Sequence, residues 1–76
     1  MDREMLQRHL KQTEDHIALS DKHIAEQRAL IARLEHGGLR DDATAAKELL
    51  FQLQDTRRLH FADRERLQRA LSELGS

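Results

Sequence analysis

One internal break constrains this chain more than any other feature: His36-Gly37-Gly38-Leu39-Arg40-Asp41-Asp42. It holds two of the three glycines in 76 residues that contain no proline. A glycine pair ends a helix because a residue without Cβ takes the left-handed conformation at little cost. With Gly38 in that role, Leu39 stands where a Schellman turn sets an apolar residue against Leu34. Asp41 or Asp42 is then expected to cap the next helix, and Asp2 the first, by accepting from free N–H groups at the positive end of the helix dipole. The expected elements are a helix over about 3–36, a turn over about 37–42 and a helix over about 43–74, within a single domain, 1–76. Each helix spans about 50 Å at 1.5 Å per residue, and so short a turn makes them antiparallel neighbours.

The apolar pattern agrees. In the first helix Leu6, Leu10, Thr13, Ile17, Ser20, Ile24, Gln27, Ile31 and Leu34 recur at alternating steps of four and three, the spacing of a coiled-coil seam. The second helix offers Ala46, Leu49, Leu53, Thr56, His60, Asp63, Leu67, Ala70 and Leu74 at the same spacing, with a second row beside it at Leu50, Arg57, Arg64 and Leu71. Folding at the glycines sets Leu34 against Ala46 and Leu6 against Leu74, so both ends are apolar. The waist is polar, with Ser20 level with His60 and Ile17 level with Asp63. Charged residues make up 36% of the chain, with both signs interspersed, which is the composition of long solvated helices.

One seam between two helices leaves too little buried surface to offset the ordering of so many residues. Apolar surface also remains beside it. Ala18, Ala25, Ala29 and Ala32 widen the first stripe, and Leu19, Leu30, Leu50, Phe51, Leu59, Phe61 and Leu71 lie off the seam. The expected fold is an all-α, antiparallel two-helix hairpin, coiled-coil-like, that assembles into a four-helix bundle. A homodimer is the first choice of homo-oligomer. The expected oligomer interface is Leu10, Ile17, Ile24, Ile31, Leu53, His60 and Leu67. This layout resembles the ROP-like family of small helical hairpins that dimerise into four-helix bundles, a likeness that implies nucleic-acid binding as an alternative function. The stretch "HIAEQRALIARLE", residues 23–35, is similar to short uncharacterised bacterial helical-hairpin proteins and implies no activity.

Several chemistries are weakly supplied. With no cysteine, there is no disulfide framework, thiolate metal site or thiol nucleophile, which suits a reducing compartment. Met1-Asp2-Arg3-Glu4 is charged and no long apolar run follows, so no signal peptide, membrane span or membrane partner is expected, and the cytoplasm is the expected location. Ser20, His60 and Asp63 have the letters of a hydrolase triad, but the middle of a regular helix has no free N–H groups for an oxyanion hole. A polar layer that fixes register accounts for them more simply. A carboxylate-bridged dimetal site needs Glu-x-x-His, and no carboxylate stands three before any of the five histidines. No enzyme and no cofactor are therefore expected.

Two constellations remain. Arg57, Arg58 and Arg64, with Arg66 and Arg69 beyond them, are the candidate nucleic-acid contacts. Asp55, Asp63, Glu65 and Glu73 interleave with them, which favours a solvated, salt-bridged face. His9, His16 and His23 form a ladder at seven-residue spacing, each just before an aliphatic seam residue. Seven residues span about 10.5 Å, so no two of them can chelate one ion. A metal site needs a histidine from each helix. Such a ladder is also expected to flank the seam with its rings half-buried and to make the assembly sensitive to mild acid. The reading is a small, self-associating interaction or structural protein, with a protein partner as a further option.

Overall fold

The computed structural model describes residues 2–75 as two helices, α1 over Arg3–His36 and α2 over Arg40–Leu74. They lie side by side as an antiparallel hairpin with Cα extents of 57 × 14 × 14 Å. The α1 start is capped as expected, because Asp2 accepts a 2.8 Å hydrogen bond from the Met5 amide. At its other end the chain turns on Gly38, whose φ is +76°. The Leu39 amide donates to the Leu34 carbonyl at 2.9 Å and the Gly38 amide to the Glu35 carbonyl at 3.1 Å. Those two bonds make the Schellman turn.

The turn is tighter than the sequence suggests. It occupies residues 37–39, and α2 starts at Arg40 rather than near 43. The Ala43 amide already donates to the Leu39 carbonyl at 2.9 Å, so the helix is under way three residues early. Neither Asp41 nor Asp42 is the cap. Leu39 holds that position without a side-chain bond, and both aspartates lie in the first turn, where their charge still complements the helix dipole.

Every expected α1 seam position faces α2. Leu6, Thr13, Ile17, Ser20, Ile24 and Ile31 are buried, and Leu10, Gln27 and Leu34 are half-buried. On α2 Ala46, Leu53, His60 and Leu67 keep their expected seam places and Ala70 is half-buried like its neighbour Leu71, but Leu74 is exposed and the intervening positions change. Leu49, Thr56 and Asp63 are exposed, whereas Leu50, Arg57, Arg64 and Leu71 are half-buried. The seam therefore runs Ala43, Ala46, Leu50, Leu53, Arg57, His60, Arg64, Leu67 and Leu71, still at steps of three and four.

The cause is side-chain length. The other row would bury Asp63, whose short carboxylate has no route back to water. An arginine can lay its methylenes along the seam and deliver its guanidinium to the edge. Arg57 reaches Asp21 of α1 in an ion pair. The Arg57 and Arg64 guanidinium carbons each lie 4.4 Å from the Phe61 ring centre, a cation–π arrangement.

Candidate functional site at the hairpin waist

The two flanks of the seam differ. On one side α1 contributes Asp21, Arg28 and Glu35, and α2 contributes Lys47, Gln54 and Phe61. Glu35 and Lys47 pair there at 3.2 Å, as do Asp21 and Arg57. On the other side α1 contributes His9, His16, His23 and Leu30, with Leu19 beyond them. There α2 contributes Leu49, Thr56, Asp63 and Ala70, with Leu59 beyond. Two open grooves mark this second flank. One is lined by His23, Leu30, Leu49 and Leu53, the other by His9, Thr13, His16, His60 and Asp63.

The histidine ladder is therefore real as a column but not as a half-buried one: His9, His16 and His23 are all exposed, and His60 is half-buried. One rung finds a partner on the other helix. The rings of His16 and His60 approach to 5.1 Å between centroids, with planes inclined by 43°. The sequence pattern showed the ladder on α1 but not which α2 residue stands beside it; that residue is His60, a member of the α2 seam.

The serine–histidine–aspartate combination does not assemble. Ser20 is buried in the seam, His60 turns its ring to His16, and Asp63 lies at the surface with Arg66 3.4 Å away. The three candidate nucleic-acid arginines are also divided. Arg57 and Arg64 stand in the seam around Phe61, whereas Arg58 is exposed and pairs with Asp55 at 3.3 Å. Arg64 leaves its Nε buried without a hydrogen-bond partner. The residues expected at an oligomer interface are taken up by the hairpin's own seam. Ile17, Ile24, Ile31 and Leu67 are buried there, and Leu10, Leu53 and His60 are half-buried.

Among the described residues no three histidine or carboxylate groups converge on a point that could hold a metal ion. No helix there is long and apolar enough to cross a membrane. Comparison of the chain with protein-family models, with curated proteins and with solved structures gives no match.

Proposed function

We propose that this chain is a non-catalytic, self-associating interaction module whose working form is a pair of hairpins, a four-helix bundle. The observation that carries this reading is surface area. A compact monomer of 8.9 kDa exposes about 4,800 Å² by the usual scaling with mass. The hairpin exposes 5839 Å², an excess of about 1,000 Å², whereas a standard protein interface covers about 800 Å² on each partner. Its radius of gyration is 17.1 Å, against about 11 Å for a compact domain of this length.

The histidine-bearing flank is the face that a second copy covers. It displays Leu19, Leu49 and Leu59, all exposed, together with half-buried Leu30. From Leu30 and Leu49 down to His16 and His60, this flank carries a single formal charge, Glu26, with Arg33 lining the groove just beyond Leu30. The opposite flank carries Asp21, Arg28 and Arg58 over the same length. Exclusion of charge from the centre of a patch is the compositional mark of an interface core. Two facing copies bring leucine against leucine at the turn-proximal half. The absence of cysteine suits such an assembly in the cytoplasm. The alternative, a ROP-like nucleic-acid binder, loses its strongest feature because Arg57 and Arg64 are engaged with Asp21 and Phe61.

Sedimentation equilibrium at micromolar concentration tests the proposal. The wild type is expected at twice the chain mass or more. Glutamate at both Leu49 and Leu59 is expected to give the chain mass, and Phe51→Glu on the opposite flank to leave the assembly intact. A fully helical wild-type monomer overturns self-association; dissociation by Phe51→Glu alone overturns the choice of face.

A further inference from the structure

We infer that His16 and His60 form an inter-helix ligand pair for a late first-row divalent metal ion such as zinc, completed by the same pair from a second hairpin. The first part stands on geometry within one chain. Two imidazoles bound to one tetrahedral zinc through nitrogens at about 2.0 Å have ring centres about 5 Å apart. The His16 and His60 ring centres are 5.1 Å apart. The two rings thus already stand at the separation that a shared ion requires. Both positions lie on long regular helices, which fix ligands better than loops do.

The chemistry of the groove selects the ion. Imidazole suits zinc, copper and nickel, whereas magnesium and calcium call for several oxygen donors. The one carboxylate lining the groove is Asp63, which lies 3.4 Å from the Arg66 guanidinium. Asp63 is three residues from His60 on the same helix, where a carboxylate can orient an imidazole ligand through its second nitrogen. His9 lines the same groove but stands seven residues, about 10.5 Å, from His16 along the axis and cannot reach the same ion.

The second part rests on the proposed pairing of hairpins. One hairpin supplies two ligands, and a closed tetrahedral site needs four. Pairing through the histidine-bearing flank about an axis parallel to the helices sets each level against itself. His16 and His60 of one protomer then meet the same two residues of its partner, and the ion ties the polar waist of the bundle.

The test is a zinc titration of the whole chain by calorimetry, with sedimentation and thermal melting alongside. The expected result is one zinc per two chains and a melting temperature raised by about 5 °C or more at saturating metal. Cobalt substitution should give the visible absorption of tetrahedral coordination. H16Q and H60Q should each abolish binding while retaining wild-type helicity without metal, and a variant with Gln at both His9 and His23 should bind as wild type does. Absence of binding overturns the inference, as does binding that survives H16Q and H60Q. One zinc per chain, still lost in both single variants, upholds the ligand pair and overturns the facing of the two hairpins instead.

Discussion

The ends and the waist of this hairpin close the same seam by different means. At the free end Leu6 and Leu67 are each 3% exposed, and at the turn Ala43 and Ala46 let the backbones approach beside Ile31. The waist sets Thr13 and Ser20 of α1 against Arg57, His60 and Arg64 of α2. The ends gain by removing apolar surface from water. The waist buries apolar surface through Ile17 but gains little from its polar groups, because they exchange water for partners of similar strength and one of them, the Arg64 Nε, finds none. The ends hold the hairpin together, and the waist fixes which residues lie level with which.

The largest disturbance should come from charging the seam. Ile24 is buried, and Ile24→Asp places a carboxylate there with no route to water. A loss of about 4 kcal/mol or more is expected, read as loss of helical circular dichroism together with dissociation. Next comes the direct contrast between regions. Leu67→Ala should cost about 2–4 kcal/mol through the cavity it leaves. Arg64→Leu should be neutral or stabilising by about 1 kcal/mol, since it removes an unpartnered buried donor at the expense of one cation–π contact. Urea denaturation of both variants checks the pair. If Arg64→Leu costs as much as Leu67→Ala, the distinction between waist and ends fails.

A smaller pair of changes probes the turn. Gly38 has φ +76° and open space around its would-be Cβ. Gly38→Ala should therefore cost about 1 kcal/mol from backbone conformation alone. Gly37 has φ −81°, and a Cβ there would meet its nearest atom, the Arg33 carbonyl oxygen, at 3.5 Å. Gly37→Ala should be neutral or stabilise by about 0.5 kcal/mol. Equal effects at the two positions, measured by thermal melting, would show that the turn does not depend on its left-handed residue.

The sequence announces the hairpin because its signals agree. A glycine pair interrupts two long runs of three-four spacing, and the α1 seam can be read residue by residue. The α2 seam is ambiguous at that level. Leu49 and Leu50, or Ala70 and Leu71, are equally apolar neighbours, and both rows share Leu53, His60 and Leu67. The choice falls to Arg57 and Arg64 against Thr56 and Asp63, and it is made by reach to solvent rather than by hydropathy. The early start of α2 was hidden for a related reason: aspartates favour a cap and a first turn alike. The pairing of His16 with His60 was missed because folding at the glycines was expected to set Ser20 level with His60, whereas the tighter turn and the exchanged α2 positions bring the His60 ring to His16.

A hairpin that is incomplete alone must unfold at a temperature that depends on its concentration. If folding and pairing are coupled, the midpoint of the helical transition should rise by roughly 5–10 °C between about 2 and about 200 µM chain. A midpoint that is the same at both concentrations, with full helicity at the lower, would mean instead that one hairpin folds and stands by itself.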